Sequence, residues 1–191
     1  GDLTSTYIIL ILGGTVWLSL VGFLDDYLKV VKKLPKGLIG KYKLLGQFII
    51  GLVVGSVIYF SPEFSNFNSL TTVPFLKNVN LDLSILYIPV VIFIITATSN
   101  AVNLTDGLDG LAIGVIAIVM IALALLSYVS GNAIFSDYLN IIYLPGSGEL
   151  TVFVAALVGA SLGFLWYNAY PAQVFMGDTG SLALGGAFGI I

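Results

Sequence analysis

Five aspartates lie in short polar motifs at the ends of long apolar stretches, and their type and spacing suit them to chemistry. They are Asp25, Asp26, Asp106, Asp109 and Asp178. Because the chain has no His and no Cys, oxygen ligands would have to hold any metal, which favours Mg²⁺ or Mn²⁺. Carboxylates, a hard divalent metal and nearby lysines together are typical of phosphoryl transfer on a diphosphate.

The composition that surrounds these motifs is that of a membrane protein. Of the 191 residues, 58% are hydrophobic and 9% are charged, and the mean hydropathy is +1.06. A soluble domain carries about 25% charged residues. The absence of Cys excludes disulfides, cysteine-ligated zinc and thiol catalysis. The net charge is −3 and all seven basic residues are Lys, so no nucleic-acid surface is predicted.

Uncharged apolar stretches predict about six membrane crossings, so the expected fold is an all-α polytopic transmembrane bundle. The predicted spans are Tyr7–Leu24, Leu44–Phe60, Ile85–Val102, Leu111–Val129, Leu150–Trp166 and Leu182–Ile191. In the connections, alternating apolar residues in Thr71–Leu83 predict a small β-hairpin. Helical spacing of apolar residues in Asn132–Tyr143 predicts a helix that lies along the membrane surface.

The lysines predict the orientation of the bundle. Six of the seven lie between Lys29 and Lys43, after the first span, and the positive-inside rule makes that segment cytoplasmic. Alternation of the spans then brings the five motif aspartates to the same side. The other acidic residues fall on the opposite side, in connections that look structural: Asp2, Glu63, Asp82, Asp137 and Glu149. The sequence therefore predicts one charged, cytoplasmic catalytic face.

The first two motifs also have purely structural interpretations. Asp25 can form an ion pair with Lys29 one helical turn later, which leaves Asp26 unexplained. An aspartate of Asn100–Leu111 can cap the helix that follows. That segment also holds two asparagines, a second aspartate and two glycines, which favours an anionic ligand at the helix N-terminus.

The third motif, Asn168–Ser181, is open to the same two interpretations. Pro171 ends the preceding helix and the Gly-Asp-Thr-Gly-Ser turn begins the next one, so Asp178 can serve only as a cap. However, Phe175 beside that turn offers an aromatic stacking face next to a hard metal ligand. The pattern leaves both alternatives open.

Three stretches resemble the phospho-N-acetylmuramoyl-pentapeptide transferase family, within the polyprenyl-phosphate N-acetylhexosamine-1-phosphate transferase superfamily. They are Asp25-Asp26-x-x-Lys29, Asn100-Ala-Val-Asn-Leu-Thr-Asp-Gly-Leu-Asp-Gly-Leu-Ala112 and Phe175-Met-Gly-Asp-Thr-Gly-Ser181. The resemblance extends over essentially the whole chain. It implies Mg²⁺-dependent transfer of phospho-MurNAc-pentapeptide from UDP-MurNAc-pentapeptide to undecaprenyl phosphate, giving lipid I and UMP in peptidoglycan synthesis.

The resemblance also implies a role for each site residue. The catalytic residues would be Asp25, Asp26, Asn103, Asp106 and Asp178, with Asp178 as the Mg²⁺ ligand. Either member of the adjacent pair would assist the attacking lipid phosphate, and the sequence leaves that choice open. The substrate-binding residues would be Lys29 and Lys43 near phosphate, Gly107, Leu108, Asp109 and Phe175 near uracil, and Asn100 and Asn168.

We expect residues 1–191 to form one transmembrane domain in the bacterial cytoplasmic membrane, with a homodimer as one assembly to test. The sequence has no initiating Met and stops within an apolar stretch, so we expect it to be the central fragment of a roughly ten-span protein, inactive alone. An early basic loop and a late His-rich loop would lie outside it. Two alternatives remain: a related N-acetylglucosamine-1-phosphate transferase, and an ion-coupled transporter, which needs carboxylates near mid-membrane.

Overall fold

Seven α-helices account for most of the computed structural model, which describes residues 2–65, 67–72 and 80–191. The helices are α1 (Thr6–Val30), α2 (Gly40–Phe60), α3 (Tyr87–Thr105), α4 (Leu111–Ser130), α5 (Ala133–Leu139), α6 (Gly148–Asn168) and α7 (Gly177–Ile190). Short 3-10 turns occupy Pro62–Phe64 and Ser84–Leu86. The helical membrane bundle expected from the sequence is confirmed.

Five helices are long and apolar enough to cross a membrane, among the residues the structure describes. They are α1, α2, α3 with the 3-10 turn before it, α4 and α6. The sixth predicted span, Leu182–Ile191, is helical as expected as far as Ile190, within α7, which has 14 residues.

Both predicted elements outside the spans are present. Strands β1 (Leu70–Thr72) and β2 (Asn80–Asp82) pair antiparallel, with Leu70 opposite Asp82. The middle of the predicted hairpin, residues 73–79, lies outside the described residues. The predicted surface helix is α5, which begins where the Asn132 side chain accepts hydrogen bonds from two backbone amides.

Glycine and small side chains let α7 lie in close contact with both α1 and α3. At Gly22 of α1, a methyl group would overlap the backbone of Asp178. At Gly185 of α7, it would lie 2.7 Å from the Cα of Ser99. Small residues at membrane helix interfaces allow this close approach of backbones. The N-terminus of α7 is thereby fixed beside the C-terminal end of α1, where the adjacent aspartates are.

Apolar side chains fill the bundle on either side of α7. One buried cluster joins α1, α4 and α6 around Ile11, Met120 and Val154. A second joins α1, α2 and α3 around Leu18 and Ile95. Most remaining large apolar side chains point outward, as expected of helices surrounded by lipid. The charged residues are thus concentrated at the helix ends.

Candidate functional site

Two lysines and two aspartates from three helices form one ion-pair network at the end of the bundle, and we call it the charged cluster. It consists of Asp25 and Lys29 of α1, Lys43 of α2 and Asp178 of α7. Each lysine ammonium contacts both carboxylates. Lys43 Nζ lies 2.9 Å from Asp25 Oδ2, and Lys29 Nζ lies 3.1 Å from Asp178 Oδ2. The cluster therefore links the consecutive helices α1 and α2 to α7, whose Asp178 is 135 positions from Lys43.

Asp25 is the most deeply buried member of the charged cluster, with 0% of its surface exposed. Its Oδ1 accepts a hydrogen bond of 2.6 Å from the backbone N–H of Leu38. Its Oδ2 contacts both ammonium groups, but no donor within the described residues makes a well-directed hydrogen bond to it. Asp25 thus presents one oxygen with charge compensation and lone pairs available to a ligand.

Asp26 faces a different partner, the first turn of α7. One carboxylate oxygen accepts from the backbone N–H of Asp178 at 3.2 Å. The other accepts from the backbone N–H of Thr179 at 2.9 Å and from its hydroxyl at 2.6 Å. Asp26 therefore caps α7 from another helix and interacts favourably with the positive end of its dipole.

Asn103 and Asp106 approach the charged cluster from the C-terminal end of α3. Asn103 Nδ2 donates to Asp178 Oδ1 at 2.9 Å and to Ser181 Oγ at 2.8 Å. Asp106 follows the last helical residue and is half-buried. Burial raises the pKa of the Asp106 carboxyl, and the negative charges of Asp178 and Asp26 raise it further. Asn103 and Asp106 therefore place an amide and a carboxyl group of the α3 end beside Asp178.

The donor set fits a hard divalent metal. Asp25, Asp26 and Asp178 each offer a carboxylate oxygen, and these oxygens lie within 4.8 Å of one another. Three carboxylates lie near only two ammonium groups, Lys29 and Lys43, which leaves one net negative charge. Together with the lone pairs of Asp25 Oδ2, which accept no hydrogen bond from the described residues, this matches the oxygen ligands that Mg²⁺ prefers.

A second group of predicted site residues joins the two loops beside the cluster. The buried Asn168 side chain accepts from the backbone N–H of Gly110 at 3.1 Å and donates to the carbonyl of Val174 at 2.8 Å. Asp109 Oδ2 accepts from the backbone N–H of Ala172 at 3.0 Å. These bonds hold the loop before α4 against the loop before α7. Asn168 is buried, and its side chain contacts the backbone of these two loops.

Three predicted binding residues on these loops are exposed. Leu108 has 70% and Phe175 has 74% of its surface accessible, and Gly107 beside Leu108 is also exposed. An accessible aromatic ring and an accessible backbone are available for stacking and for close approach by a ligand.

Asn100 lies apart from these loops and from the charged cluster. Its amide donates to Gln47 Oε1 of α2 at 2.9 Å and to the carbonyl of Thr96 at 2.8 Å.

The structural interpretations of the motifs are only partly realised. The Asp25–Lys29 ion pair exists, but both residues also belong to the larger cluster. Asp178 lies in the first turn of α7 and does not cap it, and Asp109 does not cap α4, since both helices begin without a side-chain cap from their own segments. Asp26 performs that function for α7 across 152 positions of sequence.

The acidic residues at the other end of the bundle bond to nearby loops, as expected. Glu149 accepts from the backbone N–H of Asp2, Glu63 accepts from the Thr6 hydroxyl, and Asp82 caps its own turn.

Sequence reasoning did not single out Gly37, Gln47 or Ser181. Gly37 has φ +56°, and a methyl group there would lie 2.5 Å from Asp25 Oδ1. Gln47 is fully buried between α2 and α3, and Ser181 accepts from Asn103. The only sequence signal was the spacing of Gln47 from Lys43 and of Ser181 from Asp178, which is one helical turn in each case.

Substitution of Gly177 by Ala is expected to loosen the junction between α1 and α7. Gly177 has φ +66°, and a Cβ there would lie 2.8 Å from Asp26 Oδ2. The left-handed backbone costs a residue with a Cβ about 1–2 kcal/mol, and the contact displaces the Asp26 carboxylate as well. We expect thermal unfolding of the full-length protein in detergent to occur at lower temperature.

Gly163→Ala in α6 is the matched control, because, apart from the adjacent backbone of α6, no atom of the described residues lies within 4 Å of the added methyl group. It is expected to unfold at or above the temperature of the parent, since Ala favours a helix. Equal losses in both variants would contradict the assignment of the α1–α7 junction.

Fold and site together define a multi-pass membrane protein with a carboxylate–lysine site at one end of its helices. The chain belongs to glycosyl transferase family 4, whose sequence profile matches residues 8–191. It is 55% identical over 202 residues to the phospho-N-acetylmuramoyl-pentapeptide-transferase of Salinibacter ruber, covering 99% of this chain and 52% of that protein. It is 59% identical over 182 residues to the protein of that name from Chlorobaculum parvum, covering 95% and 50%. The chain thus spans about half the length of the curated relatives it matches.

Proposed function

We propose that the full-length protein transfers phospho-MurNAc-pentapeptide from UDP-MurNAc-pentapeptide to undecaprenyl phosphate, producing lipid I and UMP. The observation that carries this proposal is the charged cluster, in which three apolar helices bring two carboxylates and two lysines together at the end of the bundle. A water-soluble diphosphate and a lipid phosphate can meet at such a place. The names of the relatives in Salinibacter ruber and Chlorobaculum parvum support phospho-N-acetylmuramoyl-pentapeptide as the transferred group.

The reaction replaces one phosphate linkage by another. An oxygen of the lipid phosphate forms a bond to the phosphorus that carries the sugar, and the bond from that phosphorus to the bridging oxygen breaks. UMP leaves with the bridging oxygen and its electron pair. Lys29 and Lys43 are placed to bind the phosphates and to stabilise the negative charge that develops during the exchange.

Of the two adjacent aspartates, Asp25 is better suited to assist the attacking phosphate. Its Oδ2 faces both lysines and accepts no directed hydrogen bond from the described residues. Both oxygens of Asp26 accept hydrogen bonds from the first turn of α7. We therefore assign Asp25 to orient or deprotonate the lipid phosphate, and Asp26 to hold Asp178 in position.

Asp178 would hold Mg²⁺, and its carboxylate oxygen lies within 4.8 Å of those of Asp25 and Asp26. Mg²⁺, when bound, neutralises diphosphate charge and polarises the phosphorus–oxygen bond that breaks. Asn103 orients Asp178 through its 2.9 Å hydrogen bond. Asp106, at the edge of the site, is assigned to bind a water molecule or a substrate hydroxyl.

The two joined loops would bind the nucleotide. Asp109, Gly107 and Leu108 are assigned to the uracil, and the exposed ring of Phe175 is assigned to stack on it. Asn168 contributes by holding these loops together. Asn100 is also proposed to contact the substrate. It lies in α3, one helical turn before Asn103.

The charged end is assigned to the cytoplasmic side of the bacterial inner membrane, because six of the seven lysines lie in the loop between α1 and α2 or in the helix ends beside it. A homodimer is proposed as the assembly. Against an ion-coupled transporter, the carboxylates lie at helix ends: Asp25 is in the last turns of α1 and Asp178 is in the first turn of α7. A transporter relay would require them near the bilayer midplane.

The test is release of UMP by the full-length protein in detergent with undecaprenyl phosphate and Mg²⁺. UDP-MurNAc-pentapeptide is expected to give UMP and a lipid-linked product in equal amounts, whereas UDP-GlcNAc is expected to give neither. Release of UMP from UDP-GlcNAc instead would establish the alternative transferase. Release of UMP without lipid would contradict the assigned acceptor.

A further inference from the structure

Gln47 is the one buried glutamine that the structure describes, and its side chain joins α2 to α3 one helical turn deeper than the charged cluster. The residue is 0% exposed. Its Nε2 donates to Ser99 Oγ at 3.1 Å, and its Oε1 accepts from Asn100 Nδ2 at 2.9 Å. The Gln47 amide therefore donates one hydrogen bond to α3 and accepts another from it.

The network reaches the third helix of the site through Ser99. The Ser99 hydroxyl donates to the backbone carbonyl of Leu182 in α7 at 3.4 Å. Gly185, one turn further along α7, allows this approach, because a methyl group there would lie 2.7 Å from the Cα of Ser99. We call Gln47, Ser99, Asn100 and the Leu182 carbonyl the amide clamp.

Each helix that enters the amide clamp also carries, one turn away on the same face, a residue of the charged cluster or, in α3, the residue that donates to Asp178. Lys43 precedes Gln47 by one turn in α2, Asn103 follows Ser99 by one turn in α3, and Asp178 precedes Leu182 by one turn in α7. A rotation or translation of α2 against α3 would therefore move Lys43 relative to Asn103 and Asp178.

The apolar surroundings make the amide clamp specific for one register of α2 against α3. An amide without partners in a bilayer is costly, so Gln47 is satisfied only when α2 and α3 keep this register. An aliphatic side chain at the same position would pack in several registers with similar energy. Buried polar groups are known to fix the register of packed helices in this way.

We propose that Gln47 is a positioning residue, which fixes the Lys43 ammonium against Asp178 through the amide clamp. This inference rests on the proposed function for its kinetic consequence but has a geometric consequence that is independent of it. Gln47 touches no reacting atom. Its loss should lower the rate of the chemical step more than it weakens nucleotide binding, because the uracil is assigned to other loops.

The kinetic test compares Gln47→Met, Ser99→Ala and the double variant in the full-length protein. Gln47→Met keeps the length of the side chain and removes both hydrogen bonds. We expect kcat to fall about tenfold, with a smaller change in KM for UDP-MurNAc-pentapeptide, because its uracil is assigned to other loops. The double variant is expected to match Gln47→Met, because both single changes break the same link.

Ser161→Ala in α6 is the control, because Ser161 is a buried hydroxyl with no partner among the described residues and lies outside the clamp. It is expected to leave kcat unchanged. Multiplication of the two single losses in the double variant, or an unchanged kcat in Gln47→Met, would overturn the proposal.

A distance measurement decides the geometry even if the proposed activity is wrong. This chain has no Cys, so nitroxide labels can be attached within it at Lys41→Cys and Leu104→Cys, two exposed positions near the ends of α2 and α3. Double electron–electron resonance should give one narrow distance when Gln47 is present and a broader or shifted distribution in the Gln47→Met variant. Identical distributions would overturn the clamp, whereas inactivity of the parent protein would overturn only the proposed function.

Discussion

Substitution of Asp178 by Asn is expected to reduce the transfer rate of the full-length protein by about a thousandfold, or ~4 kcal/mol of transition-state stabilisation. The Asp178 carboxylate faces both lysines, accepts from Asn103 and is the principal metal ligand assigned. An amide keeps the shape but removes the negative charge. The measurement is the initial rate of UMP release at saturating substrates.

Asp137→Asn is the matched control for this experiment. Asp137 is an exposed residue of α5, on the surface helix at the opposite end of the bundle, so the rate of this variant is expected to equal that of the parent. Mg²⁺-dependent release of UMP at the parental rate by Asp178→Asn would show that the metal assignment is wrong. The unfolding temperature of the Asp178→Asn variant shows whether its fold is intact.

Substitution of Asp25 by Asn is expected to lower kcat by about 10²–10⁴-fold, which is the usual contribution of a general base. The change replaces the buried oxygen that faces Lys29 and Lys43 by a group that cannot accept a proton. KM for the nucleotide should change little, because the nucleotide loops are elsewhere. The rate is measured in single turnover with radiolabelled undecaprenyl phosphate.

Asp26→Asn separates the two adjacent carboxylates. An Asn side chain retains one oxygen that can accept from the α7 backbone, so we expect a smaller loss of kcat than in Asp25→Asn and a lower unfolding temperature. If Asp26→Asn loses more activity than Asp25→Asn while its stability is unchanged, the roles of the two residues are reversed.

The spans were well predicted from the sequence, because hydropathy depends on the composition along a segment. The ends of the helices were predicted less well. The sequence placed Asp25 and Lys43 in a cytoplasmic connection, between spans ending at Leu24 and beginning at Leu44. The structure continues α1 to Val30 and begins α2 at Gly40. A charged residue ends an apolar stretch but does not end a helix, so these side chains lie on rigid helical turns.

The site was predictable as a set of residues on one face, because span parity alone brings the motif aspartates to the same end of the bundle. The partners of each residue were not predictable. Asp26 caps a helix that begins 151 positions later, at Gly177, and Gln47 bonds to α3 across 52 positions. Such contacts depend on how helices pack, which no spacing within one segment reveals.

Our central proposal is that the charged cluster binds the metal and the phosphates during transfer. The most direct measurement is anomalous X-ray diffraction from crystals of the full-length protein with Mn²⁺ in place of Mg²⁺ and a bound uridine nucleotide. We predict one anomalous peak at about 2.1 Å from an Asp178 carboxylate oxygen, with nucleotide phosphate in contact with Lys29 or Lys43. A manganese peak remote from Asp178, with the nucleotide bound elsewhere on the protein, would contradict this proposal.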